Sequence, residues 1–186
     1  MANSDAPFGF RPINRDGSPY NGATTRGYFL AADTTAAFIG DAVISVGDSL
    51  AGAMAVEAAD AGDDVYGVIV GFDVNPDDLG AQYRKASTLR YCKIATADST
   101  FFEAQDSGTL GLAAAGSNVP LIESQTGSTV YGLSGMEIGT GNGTTTTLDL
   151  QLVAPVDRDD NDGTAANANW IVKFNKSQTR PGRQGV

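Results

Sequence analysis

From Gly27 onward, short runs rich in Val, Ile, Thr and aromatic residues alternate with clusters of Gly, Asp and Asn, and no helix-length segment separates them. Such runs read as strands joined by tight turns, and strands at near-regular spacing close into a barrel or a sandwich. The expected strands are 27–31, 38–46, 53–58, 65–74, 88–96, 100–104, 130–138, 147–153 and 170–175. The clearest alternation is at 148–152, where Leu148, Leu150 and Leu152 would share a buried face and Asp149 and Gln151 a wet one. Trp170, Val172 and Phe174 repeat it, with Lys173 and Asn175 outward. Turns are expected at Gly47-Asp48, 61–63, 75–78 and 141–143. Residues 105–118, with Leu110, Leu112 and three successive alanines, have room for one short helical turn. The expected fold class is all-β, a compact barrel or sandwich domain.

Composition agrees with this reading. Charged residues are 18% of the 186, below the ~25% of an ordinary soluble domain, while Gly reaches 23 and Thr 17. Those residues favour strands and turns over helices. The length suits one domain, able to bury roughly 70% of its unfolded surface without a metal or disulfide staple.

The charges are unevenly placed. Residues 1–26 and 173–186 together hold seven bases and two acids, whereas 27–172 hold five bases and twenty acids, within a net charge of −10. A body this acidic, with a pI near 4.2, excludes general nucleic-acid binding, which needs a basic footprint. Basic ends on an acidic body suggest arms that dock on an acidic surface, a neighbouring copy included, against the plainer alternative of solvated tails. Residues 5–28 mix three Pro and four Gly with Phe8, Phe10, Ile13, Tyr20 and Tyr28 and show no period. Pro and Gly deny the stretch a helix, and a merely disordered tail would be poor in aromatics. The expected division is therefore an extended N-terminal arm (1–26), an all-β domain (27–175) and a basic C-terminal tail (176–186). The arm would gain its order from a partner and add little to the core.

Catalytic motifs are weak. The chain has no His, the usual general base near neutral pH and the commonest metal ligand. Its single Cys92 permits neither a disulfide framework nor a zinc knuckle, and is expected to pack as a small hydrophobe. Gly139, Gly141 and Gly143 lack the spacing and the following helix of a dinucleotide loop. Asp157, Asp159 and Asn161 have the alternate spacing of a calcium loop, but the glycine falls one position late and Ala168 stands where a bidentate Glu would be required. They are at most a weak cation site beside a solvated acidic loop. No enzyme activity and no cofactor are expected. The opening residues lack the basic and apolar regions of a signal peptide, and no apolar run is long enough to span a bilayer, so a soluble protein made in the cytosol is expected.

Longer segments carry a likeness. The opening DAPFGFRP from Asp5 and SPYNGAT from Ser18 resemble the N-terminus of capsid cement (head decoration) proteins of tailed bacteriophages. FIGDAV from Phe38, GVIVGF from Gly67, QYRKAST from Gln82, GLSGME from Gly132 and ANWIVKFN from Ala168 extend the likeness along nearly the whole chain. The Gly40-to-Val43 start followed by a Gly- and Val-rich strand is also similar to the broader β-tulip decoration proteins. The resemblance implies a β-tulip-like homotrimer on the outer surface of the virion, bound to the major capsid protein, with no contact to nucleic acid or membrane. Capsid-binding residues are expected in the arm (Phe8, Phe10, Arg11, Arg15, Tyr20, Arg26) and in the tail region (Lys173, Lys176, Arg180, Arg183). The alternatives are a head–tail connector or tail component, and, from another class, a surface carbohydrate- or cation-binding module.

Overall fold

The computed structural model describes residues 3–50, 52–123, 126–178 and 180. Within them the protein is nearly all-β, as expected, and is built around two units. Strands β2 (Thr25–Phe29), β3 (Ala42–Leu50), β4 (Ala53–Ala58), β5 (Gly67–Phe72) and β6 (Arg90–Thr96) close a barrel in the order β2-β4-β3-β5-β6. Closure depends on β2, which runs parallel to β4 through Gly27 and Tyr28 and antiparallel to β6 from Thr25 to Phe29. An antiparallel sheet follows the order β1 (Arg11–Ile13), β7 (Phe101–Gln105), β12 (Asn169–Phe174), β11 (Leu150–Pro155) and β8 (Asn118–Val119). A small pair, β9 (Leu121–Ile122) and β10 (Glu137–Ile138), and a single 3₁₀ turn at Leu112–Ala114 complete the regular structure.

Phe29, Val43, Val56, Ile69, Cys92 and Ile94 fill the barrel, one or two from each strand, as alternation along a closed sheet requires. A side chain at Gly27 would push into this packing: a Cβ there would lie 2.5 Å from Ile94 Cδ1, which would have to move. The larger core joins barrel to sheet, with Val65, Val68 and Ala95 packed with Phe102, Leu150, Leu152, Trp170, Val172 and Phe174. Trp170 meets its polar requirement inside that core by donating Nε1–H to Asp106 Oδ2 at 3.0 Å, while Ala168 N–H donates to Asp106 Oδ1 at 3.0 Å.

All nine expected runs contain strand residues, and four local expectations change. The run 130–138 pairs only at Glu137–Ile138, because Ser128 and Gly132 close a turn that leaves Val130 and Tyr131 on the surface. Gly47 lies within β3; its φ of 78° accompanies a register shift between Ser45 and Ser49, so the strand bulges where a turn was expected. Asp149 does not face water. It is buried, accepts N–H bonds from Gly62 (3.0 Å) and Leu121 (2.9 Å), and lies 3.6 Å from Lys176 Nζ. Asn175 is buried likewise, its amide donating to Leu148 O. Both faces of this end of the sheet are covered, which a period of two cannot register.

The N-terminal stretch is extended, as expected, but it is built into the core. Phe10 packs its ring on Phe174 (5.1 Å between centroids) and edge-on to Phe102 (6.5 Å). Residues 11–13 pair with β7, and Gln105 holds Ala6 N–H and Ser4 O. The backbones touch where Gly9 and Gly40 meet. Both have positive φ, a Cβ on Gly9 would fall 2.6 Å from Gly40 O, and a Cβ on Gly40 would fall 2.5 Å from Phe8 O. Only glycine permits that approach, and Phe10 N–H uses it to donate to Gly40 O at 2.9 Å.

Next to this contact Asp41 is buried and accepts Phe38 N–H at 2.7 Å. Burial pushes its carboxyl up to about 6, against the opposing hydrogen bonds from Ser134 and Phe38. A carboxyl raised in the folded state stabilises the fold fully below its unfolded value of 3.8 and loses that contribution as pH rises toward 6. The loss expected from this group is about 3 kcal/mol. Asp41→Asn keeps an acceptor for Phe38 N–H and has nothing to ionise. Denaturant midpoints of wild type and variant at pH 4 and pH 7 should therefore diverge in the variant's favour as pH rises; parallel curves would contradict the burial argument.

Candidate docking surface

The N-terminal stretch forms one wall of an open groove of about 750 Å³, lined by Phe8, Phe10, Pro12, Ile13, Pro19 and Tyr20. The opposite wall comes from Ile39, Ile69, Val70 and Leu133, which are far apart in sequence. Val130 and Tyr131, which precede Leu133 in the chain, are exposed but do not line the groove. Charge is confined to one cluster at the lining, where buried Glu103 receives Arg158 Nη1 at 2.6 Å and lies 3.7 Å from Arg11 Nη2. The Arg11 guanidinium also lies over the Phe8 ring at 4.6 Å. An exposed guanidinium stacked on an aromatic and tethered to a buried carboxylate offers a fixed donor at the edge of an apolar slot.

Of the residues expected to bind a partner, the structure brings Phe8, Arg11 and Tyr20 together at this groove. Phe10 reaches it only from within the core, at 1% exposure, so it holds the wall in place and is not a free anchor. Arg26 lies elsewhere, on β2 of the barrel, paired with Asp73 at 2.9 Å and stacked 4.0 Å over Tyr91. Lys176 is occupied internally by Gly62 O, Asp149 and Asp64. The chain after Phe174 is likewise no loose tail up to Gln178. Ser177 donates to Asp98 at 2.5 Å, and the Gln178 side chain exchanges hydrogen bonds with the Ser45 backbone. Arg183 falls outside the described residues. Glu103, Ile39, Val70, Leu133 and Arg158 were absent from the sequence-based expectation; they belong to four strand or turn segments and an acidic loop, and no local signal relates them.

Arg15, Lys173 and Arg180 converge instead on a second hollow of about 380 Å³ over the sheet, with Phe101, Gln151 and Asn175. Arg15 and Lys173 lie 6.0 and 5.3 Å from the centroid of the Phe101 ring. Arg180 is oriented by Nη2, which donates to Phe174 O at 3.1 Å. Residues far apart in the chain thus place bases on the same patch, and no carboxylate is among its described lining residues.

The acidic loop has a structural use for one of its candidate ligands. The Asn161 side chain donates to Val156 O and Asn169 O and accepts Asn169 N–H, tying the loop across the β11–β12 connection. Asp157 and Asp159 are exposed. Among the described residues no group of three or more His, Cys, Asp or Glu is arranged to hold a metal ion, and no helix is long and apolar enough to cross a membrane. Cys92 is wholly buried in the barrel, where desolvation first and the charge of Asp73 second push its thiol up to about 12, so it packs as an apolar group. No protein-family model matches this chain, and no curated protein or solved structure does so significantly.

Proposed function

We propose that the protein is a capsid cement protein of a tailed bacteriophage, a homotrimer on the outer surface of the virion that holds the major capsid protein shell together. The observation that carries this reading is the groove. An N-terminal stretch that resembles that of cement proteins supplies Phe8, Pro12, Pro19 and Tyr20 to one apolar slot. A contiguous apolar surface rimmed by charge is the usual mark of a protein–protein contact. Its occupant in this reading is an apolar segment of the major capsid protein. Binding only the assembled shell stabilises the shell by linkage, and three copies of a weak contact on one trimer gain from effective concentration. The role needs no catalytic group and no cofactor.

Co-sedimentation with capsids stripped of cement tests it. Phe8→Ala with Leu133→Ala is expected to weaken binding at least tenfold at both low and high salt, because apolar burial at about 25 cal/mol per Å² is not screened. Near-wild-type circular dichroism would establish that the variant is folded. Undiminished decoration would place the contact elsewhere, and a stable sixfold ring in light scattering would favour a connector.

A further inference from the structure

We infer that Asn21 is a site of spontaneous modification, where the side-chain amide closes on the Gly22 nitrogen to a cyclic imide that opens to aspartate or isoaspartate. The chain contains two Asn-Gly pairs, Asn21-Gly22 and Asn142-Gly143. Such pairs are reactive because glycine leaves its own nitrogen unhindered and lets the backbone reach the closing conformation. The Gly22 N–H gives its proton to hydroxide, and the nitrogen attacks Cγ of Asn21. An N–Cγ bond forms, the Cγ–Nδ2 bond breaks, and Nδ2 takes a proton from water and leaves as ammonia. Water then opens the imide. Cleavage at one carbonyl gives aspartate; cleavage at the other gives isoaspartate, in which the main chain runs through the side-chain carbon. The sequence of steps consumes only water.

The structure separates the two pairs. At Asn142-Gly143 the nucleophile is already engaged. Gly143 N–H donates to Asn118 O at 2.8 Å, Gly143 O accepts Asn118 N–H at 2.7 Å, and Asn142 N–H donates to Thr140 O at 2.9 Å. Ring closure there requires this bridge to open first. Asn21 and Gly22 are both exposed and lie outside every strand. Among the described residues neither the Asn21 side chain nor the Gly22 N–H makes a hydrogen bond.

Tyr20 couples the site to the groove. Its ring folds back over Gly22, where a Cβ would fall 2.4 Å from Cζ, and its hydroxyl donates to Ala23 O at 2.8 Å. Residues 22 and 23 therefore hold the ring that lines the groove. Isoaspartate at 21 lengthens the main chain by one carbon between Tyr20 and Gly22 and disturbs that clasp, and either product adds a negative charge at the residue after Tyr20. The inference goes beyond the cement reading and uses it only for what the altered wall would have bound.

The test incubates the full-length protein at mildly alkaline pH and follows the peptides containing residues 21 and 142 by mass, with the same chain in denaturant as reference. In the folded protein Asn21 should convert about tenfold faster than Asn142, the factor expected when one site must first open a backbone bridge. In denaturant the two rates should converge. Equal rates in the folded protein, faster loss at Asn142, or an Asn21 still intact once the denatured chain has converted would overturn the inference. The coupling to the groove is read without a capsid, from the Tyr20 ring resonances. They should split as isoaspartate accumulates and stay single in Asn21→Gln, whose longer side chain closes the ring far more slowly; resonances that never change would overturn the coupling. Stripped capsids then separate the two readings. Aged wild type should decorate them less than aged Asn21→Gln. Conversion at Asn21 in a protein that decorates no capsid even when fresh removes the cement reading and leaves the modification standing.

Discussion

A chain lacking residues 1–20 is expected to lose cooperative folding, or to unfold at a far lower denaturant midpoint. The stretch places Phe10 and Ile13 in the core at 1% and 5% exposure and supplies β1 to the edge of the five-stranded sheet. Asn3 adds three hydrogen bonds to the 162–166 loop, and Gln105 takes up the backbone of residues 4 and 6. Removing Phe10 alone to Ala costs about 3–5 kcal/mol, the usual range for a large aromatic taken from a packed core. That is a large part of the 5–15 kcal/mol by which a typical domain is stable. Phe8→Ala, on the groove surface, should cost less than about 1 kcal/mol. Urea unfolding followed by near-ultraviolet circular dichroism checks all three, and a truncated chain with a wild-type midpoint would show that the sheet holds without its edge. The arrangement reverses the reading of these residues as an arm separable from the core.

The second large effect is expected at Arg84. Its side chain is wholly buried, lies 5.1 Å over the Phe29 ring, and pairs with Asp33 at 3.1 Å. Its guanidinium also donates to Leu30 O at 2.7 Å, Asp33 O at 2.8 Å, Thr88 O at 2.9 Å and Thr35 O. Four carbonyls from two loops therefore depend on one fork, which ties the end of β2 to the approach to β6. Arg84→Ala leaves a nearly buried carboxylate and those carbonyls without their donor, and should cost about 3–5 kcal/mol. Arg84→Lys retains the charge but cannot reproduce a planar five-donor geometry, so it should recover only part of the loss. The order wild type, Lys, Ala in thermal midpoint is the expected result. A Lys variant as stable as wild type would mean that charge alone matters there.

Arg84 belongs to the QYRKAST segment, just as Gly9 and Gly40 belong to DAPFGFRP and FIGDAV, and Trp170 to ANWIVKFN. Each of these segments has a structural reason for its residues: a buried fork, a backbone contact closer than any Cβ allows, a ring that donates to Asp106. The groove is different. Its wall from the N-terminal stretch was visible in the sequence as aromatic residues in a helix-free segment, whereas Ile39, Val70, Glu103, Leu133 and Arg158 carry no shared local pattern.

What the sequence determined by itself was the local grammar. β-branched and aromatic runs between Gly, Asn and Asp clusters set the all-β class and most strand positions, because φ/ψ preference and the alternation of side chains are properties of neighbouring residues. The charge asymmetry and the absence of His were equally legible. Tertiary structure alone decided which faces are covered. It buried Asp149 and Asn175 on a strand end that alternation would leave wet, turned Val130 and Tyr131 outward, and drew Phe10 into the core while Phe8 stayed at the groove. It also gathered Arg15, Lys173 and Arg180 on one patch while tying Arg26 and Lys176 to acids of the body. Burial and charge pairing depend on contacts between residues tens of positions apart, and those distances exist only once the barrel has closed and the sheet has packed against it.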